Sequence, residues 1–452
     1  MGARSNSFGH KPAAINQRPK LLLDLLRRYI FTQVAGGWLA TKFGGKWVFG
    51  VGVLCTALLT VITPIVAKKC PLWVLIAVRI LEGVGEGVTF PAMHGVWARW
   101  APPLERSKLA TMSYSGAYVG TIVSMPLSGW LCASPYGWPA VFYLCGGFGV
   151  FWFVLWICLV HSDPSTHPRM SKAELDYIQG TLRAERPSGA KEPLLEGHHE
   201  TPGNVPDDQG TPWKEMFTSS AVWAIVVGHM CNNWGFYNLL TCLPSYLNNV
   251  LNYDIKHAGF VAGLPYLCMA VWGNIWAPIV DKFREKNPRS TGMWRKISQA
   301  AGHLIGAAAL IACGYAPSGA AGRTYAIVCL CVAVGAGGFN QAGFNVNHLD
   351  IAPKYAGVLM GITNTFATIP GFAAPQFTDM IADGTVPAQD CFTPVCVEQR
   401  HHLQQQWQVV FFTAAGVYVV GVAIYTCFAS GDKQPWADGS LARKPGRGNR
   451  IV

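Results

Sequence analysis

Charge is what this chain has least of. Asp, Glu, Lys and Arg make up 13% of its 452 residues, against about 25% in an ordinary soluble domain. Half the usual charge does not cover a globular surface with hydrated groups. It does not describe a disordered chain either, since that requires the opposite bias. Several marks of chemistry are also missing. The 14 cysteines show no paired metal-ligand spacing, and Cys55, Cys145, Cys158, Cys329 and Cys331 lie in apolar runs, where Cys behaves as a small hydrophobe. No phosphate loop and no nucleophile–base arrangement is present, so no enzyme is expected. No Asn-x-Ser/Thr acceptor occurs. The net charge is +11, but Lys and Arg sit in short clusters between apolar runs. That distribution excludes a basic nucleic-acid-binding face.

What the chain has instead is apolar length: 51% of its residues are hydrophobic. Ten runs, at 47–67, 72–97, 109–131, 140–160, 221–247, 258–280, 297–315, 324–346, 356–381 and 409–429, are each long enough to cross a hydrocarbon core of ~30 Å. The predicted class is therefore an all-α membrane protein. Pro126, Gly335, Gly337, Gly338 and Pro370 inside these runs fit a membrane interior, where neighbouring helices satisfy loosened backbone groups.

One polar stretch divides the set, with four runs before it and six after. This arrangement resembles a two-bundle transporter with six helices per half. The expected organisation is an atypical basic segment 1–28, an N-terminal bundle 29–160, a central loop 161–217, a C-terminal bundle 218–430 and a tail 431–452. The N-terminal bundle is read as incomplete, with residues 29–40 a partial helix. Placing the central loop in the cytosol puts twenty-three Lys and Arg on that side and five on the other, which sets the orientation by the positive-inside rule.

The residues that carry chemistry lie in the second run. Arg79, Glu82 and Glu86 follow i, i+3, i+7 and share one helix face. An ionised group at mid-bilayer costs about 2.5–3.5 kcal/mol, so three on one helix must face a polar cavity or each other. On one reading Arg79 holds a carboxylate while Glu82 or Glu86 carries a proton. On the other, Arg79 and Glu82 form a structural pair. His94, at the cytosolic end of the same run, titrates near neutrality when unperturbed. His229 and His303 stand isolated in apolar runs and read as structural polar residues. Cys391 and Cys396 sit in a polar loop and read equally as a disulfide or as two thiols.

Gly37-Trp-Leu-Ala-Thr-Lys-Phe-Gly44-Gly-Lys46 resembles the cytosolic loop signature of the major facilitators, with Thr41 where the pattern has Asp. The stretches 85–94 (GEGVTFPAMH), 100–108 (WAPPLERSK), 343–353 (GFNVNHLDIAP) and 431–436 (GDKQPW) resemble the anion–cation symporter family of that superfamily, most closely its sialin branch. The resemblance implies a proton-coupled symporter exporting sialic acid and acidic sugars from lysosomes. Glutamate-type or phosphate-type transport is the alternative, as is a membrane partner that no longer transports. It implies Arg79, Asn232, Asn233 and Tyr237 as substrate residues, and Glu82, Glu86 and His94 as proton-coupling residues. Gly37, Gly44, Glu105, Arg106, His348 and Asp350 are implied as structural or gating residues. No cofactor or metal is expected: the coupling ion is a proton, with sodium left open. The expected partners are a small organic anion and the lipid bilayer, and the chain is expected to be a monomer. Glu192-Pro-Leu-Leu195 is a weak acidic dileucine sorting signal.

Overall fold

The computed structural model describes residues 32–184, 211–251, 253, 255–317, 320–382 and 394–438. The segment 1–28, the dileucine signal and the Cys391–Cys396 question lie outside the described residues. Within them the chain is helical, joined by turns and short 3-10 segments, with no strand.

The N-terminal half begins with α1 (32–43) and α2 (Gly45–Lys69). Gly44 separates them with φ +88, a left-handed backbone that glycine adopts without steric cost. Next come α3 (Leu72–Gly87), α4 (Thr89–Trp100), α5 (Arg106–Ala133) and α6 (Trp138–Leu159). The run at 72–97, expected as one helix, is two. Pro91 has no N–H to give the Gly87 carbonyl and would crowd it, so α3 stops at Gly87 and α4 restarts after Val88.

Two short helices follow in the stretch the Lys/Arg distribution assigns to the cytosol, α7 (Lys172–Ala184) and α8 (Trp213–Thr218). The C-terminal half holds α9 (Ser220–Asn249), α10 (Ile255–Lys286), α11 (Thr291–Gly314), α12 (Ala320–Asn340) and α13 (Phe344–Ile351). It ends with α14 (Ala356–Ala367), α15 (Pro370–Ile381) and α16 (Pro394–Phe428). The run at 356–381 is broken for the same reason as the earlier one. Pro370 cannot continue α14, and instead takes the first position of α15, where its missing N–H costs nothing.

Six helical stretches among the described residues are long and apolar enough to cross a membrane by themselves: Gly45–Lys69, Trp138–Leu159, Phe260–Lys286, Pro288–Gly314, Ala321–Ile351 and His401–Phe428. The other expected runs are the broken pairs α3–α4 and α14–α15, together with α5 and α9, which carry Ser, Thr, Asn and His toward neighbouring helices. Helix α6 is apolar on all sides, yet Gly146 is its one buried residue. An apolar helix with its side chains turned outward is built for lipid.

The two halves meet along α5 against α10 and along α1 and α4 against α14. Small residues let these backbones approach. A Cβ on Gly37 would sit 2.3 Å from the Gly357 carbonyl oxygen, and one on Gly361 would sit 2.5 Å from the Gln33 oxygen. The main apolar core lies in the C-terminal half, around Leu243, Leu247, Tyr266, Leu310, Leu330 and Phe411.

Candidate functional site

Polar side chains inside the molecule fall into three groups. The first is on α3. Arg79 Nη1 donates to Glu82 Oε2 at 2.7 Å, and the second carboxylate oxygen accepts from Thr60 Oγ1 of α2 at 3.1 Å. Glu82 is buried, whereas the Arg79 side chain is 44% exposed. The guanidinium lies 5.3 Å from the Phe142 ring of α6, within cation–π range. One turn further along, Glu86 is exposed, and Tyr237 of α9 is close enough to interact with it electrostatically. Glu86 therefore faces the opposite half, while Glu82 faces its own.

Asn232 and Asn233 do not join this group. Asn340 Nδ2 donates to Asn232 Oδ1 at 2.9 Å, and Asn233 Nδ2 donates to the Ala367 carbonyl at 2.9 Å. These bonds brace α9 against α12 and α14. Tyr237 packs over Gly371 of α15.

The second group spans the seam between the halves. His94 Nε2 is 3.0 Å from the Asn345 carbonyl of α13, and its Nδ1 is 3.2 Å from its own helix's Phe90 carbonyl. The His94 and His348 rings meet edge to face with centroids 5.3 Å apart. His348 Nε2 bonds Thr363 Oγ1 at 2.8 Å, and His229 Nδ1 approaches the same hydroxyl at 3.4 Å. Sequence reasoning missed much of the surrounding set. Tyr118 of α5 accepts from Gln341, Gln341 accepts from Asn345 Nδ2, and Tyr114 stacks on Phe90 at 5.6 Å. Gln33 of α1 accepts from Asn364 Nδ2 of α14 at 2.6 Å. These residues come from separate stretches of the sequence, on α1, α4, α5, α13 and α14 and the turn before α13, and only the fold brings them together.

The third group closes the seam at the ends assigned to the cytosol. Arg295 Nε donates to Asp350 Oδ2 at 2.7 Å and its Nη2 to Oδ1 at 3.1 Å, a two-point grip. Arg284 reaches Asp281 at 2.9 Å and Asp350 at 3.3 Å. All four side chains are buried. The network grasps residues 103–108 of the other half. Arg284 donates to the Pro103 carbonyl at 3.1 Å, Arg295 to Ser107 Oγ at 2.7 Å, and the Lys108 N–H donates to Asp281 Oδ2 at 2.7 Å. In return Arg106, itself buried, donates to the Leu349 carbonyl at 3.0 Å. Glu105 turns the other way and accepts from the Tyr177 hydroxyl of α7 at 2.8 Å. In the sequence, Arg284 and Arg295 counted only as loop cations marking topology; here they are interior. Thr41, in the signature loop, bonds back to the Gly37 carbonyl of its own helix at 3.0 Å.

One broken helix, α3–α4, carries an intramembrane ion pair, and a second, α14–α15, lies in the opposite bundle across a polar seam, a membrane transporter's arrangement. The profile of the Major Facilitator Superfamily matches residues 28–375. The chain is 42% identical to sialin of Homo sapiens over 414 residues, covering 90% of this chain and 74% of sialin. The chain belongs to the major facilitator superfamily. It is also 39% identical to vesicular glutamate transporter 2.1 of Danio rerio over 416 residues, covering 91% of this chain and 64% of that protein. The structure of the proton:xylose symporter XylE matches the fold of this facilitator with a TM-score of 0.64 at 13% identity, covering 95% of this chain and 90% of XylE. This facilitator is thus an integral membrane transporter related to sialin and the vesicular glutamate transporters, and not an enzyme.

Proposed function

We propose that this protein is a proton-coupled symporter of small carboxylated anions, of the sialic acid type, moving them from an acidic lysosomal or vesicular lumen to the cytosol. The observation that carries the reading is the Arg79–Glu82 pair. An accessible guanidinium already holds a carboxylate, at 2.7 Å, inside an apolar run. A substrate carboxylate takes that place once Glu82 is protonated, because a neutral acid no longer competes for the cation. Substrate entry and proton uptake then become one event. Glu86, a turn away and facing Tyr237, is a second proton carrier on the seam side. The kinship with sialin supports the choice of a carboxylated sugar.

A gradient of two pH units provides about 2.7 kcal/mol per proton, from ~1.36 per unit. That is enough for roughly hundredfold accumulation of a co-transported anion. The latch at residues 103–108 must open and the halves must rock about the midplane for release. The deciding experiment is uptake of labelled sialic acid into proteoliposomes under an imposed pH gradient, with glutamate, urate and phosphate as competitors and a sodium gradient as a separate arm. Uptake that ignores the pH gradient overturns proton coupling. Absence of saturable sialic acid and glutamate uptake, with labelled phosphate taken up instead, overturns the substrate class.

A further inference from the structure

Helix α7 docks beside the latch through one hydrogen bond, from Tyr177 to Glu105. Ser171 Oγ accepts from the Glu174 N–H at 3.2 Å, a capping-box start, and of its thirteen residues only Ile178 is buried. Its other anchor is the Tyr177 hydroxyl on Glu105 Oε1 at 2.8 Å. Glu105 lies between Pro103, gripped by Arg284, and Ser107 and Lys108, gripped by Arg295 and Asp281. Tyr177 is 51% exposed and lies on the side the Lys/Arg distribution assigns to the cytosol. Asp176 stands directly before it and Glu174 three residues before, an acidic pattern of the kind a basic kinase groove reads.

We propose that Tyr177 is a phosphorylation site for a cytosolic tyrosine kinase, and that its modification releases α7 from the latch. This consequence rests on the two-bundle transporter reading above. The co-reactant is MgATP. The bond from the γ-phosphorus to the bridging oxygen breaks and a bond from phosphorus to Tyr177 Oη forms. ADP leaves with the electron pair, and the phenolic proton passes to the kinase's catalytic carboxylate. The product has lost the O–H donor that Glu105 accepts. In its place stands a group of about −1.5 to −2 charge facing that carboxylate, and the other charge acting on the Tyr177 oxygen is Glu285, also an acid. Before modification the Glu105 bond holds the phenol above its ordinary range, so the hydroxyl is protonated and donating at cellular pH. Like charges destabilise such a contact, and one buried isoleucine does little to hold α7 in place.

The test uses the full chain in lipid nanodiscs, a tyrosine kinase that prefers acidic sites, and MgATP. Peptide mass mapping reads phosphate on Tyr177, and hydrogen exchange reads 172–184 and 103–113. The expected result is modification at Tyr177, several-fold faster in Glu105→Gln, several-fold slower in E174Q/D176N, and absent in Tyr177→Phe. Exchange should rise in both segments after modification. Tyr177 left unmodified while a 171–183 peptide is modified by the same kinase overturns the site. Failure of both protein and peptide overturns acidic recognition, and modification with unchanged exchange overturns the release. None of these readouts requires transport, so they stand apart from failure of the proposed substrate.

Discussion

Asp281 accepts a hydrogen bond from the backbone N–H of Lys108, at 2.7 Å, across 173 residues of chain. Lys108 is in the first turn of α5, where N–H groups have no partner within the helix. A carboxylate from one bundle therefore caps a helix of the other. Replacing Asp281 with Asn keeps an acceptor but removes the charge; replacing it with Ala removes both. Loss of a cap costs about 1 kcal/mol. Amide exchange in 106–111 should rise about fivefold in Asp281→Ala and less in Asp281→Asn. Equal exchange in all three proteins would mean that the cap does not hold the seam.

Removing one member of a buried ion pair leaves a bare charge and costs about 3–5 kcal/mol. Asp350→Asn and Arg295→Met should each lower thermal stability in detergent strongly. Apolar replacement of both partners should recover part of the loss. A double variant no better than the worse single variant would show that Arg295 and Asp350 do not act as a pair.

Glu82→Gln keeps a neutral side chain of the same shape and cannot gain or lose the proton. Exchange of labelled anion across the membrane without a gradient should persist in this variant, while pH-driven accumulation, about hundredfold for two units, should vanish. Arg79→Gln should abolish both. If Glu82→Gln still accumulates anion, the coupling proton rides elsewhere, and Glu86→Gln becomes the variant to test.

Thr60→Val removes the hydroxyl that donates to Glu82 at 3.1 Å. A single hydrogen bond to a charged group contributes about 1.5–3 kcal/mol. Without it Glu82 loses its tie to α2, and pH-driven accumulation of anion should fall several-fold while gradient-free exchange persists. Accumulation equal to that of the unsubstituted protein would contradict the arrangement.

Gly37→Ala would place a methyl group 2.3 Å from the Gly357 carbonyl oxygen. The backbones of α1 and α14 must then separate. Overpacking of this kind costs about 1–3 kcal/mol, and because the contact joins the two halves the strain favours their opening at this end. Proteolysis or exchange at 356–361 should increase; unchanged protection would mean that α1 does not close the seam.

The helical membrane architecture was legible because hydrophobic length is a strong local signal and the Lys/Arg asymmetry adds direction. The breaks at Val88 and at 368–369 were less so, although Pro91 and Pro370 mark them once their missing donors are considered. The Arg79–Glu82 pair could be read because i, i+3 spacing brings the two together, whereas the turn of Glu86 toward Tyr237 of the other half, away from Thr60 of α2, needed the fold. The latch could not. Arg284 and Arg295 look like ordinary loop cations, and nothing local says that both meet Asp350, 66 and 55 residues away. Asn232 and Asn233 show the converse: their sequence context drew them toward substrate, while their amides brace neighbouring helices.

Much of the cytosolic closure joins charged side chains of one half to the main chain of the other: Arg284 to Pro103, Asp281 to Lys108, and Arg106 to Leu349. Every residue offers a carbonyl, and every residue but proline offers an N–H, so the gripped positions are free to drift. A deep mutational scan should tolerate many substitutions at Pro103 and Lys108 and few at Asp281, Arg284 and Arg106, while Leu349 stays apolar because its side chain is fully buried. Fusing the N-terminal half of one relative to the C-terminal half of another would preserve these grips without matched side chains, which makes the seam a place where the two bundles can be recombined.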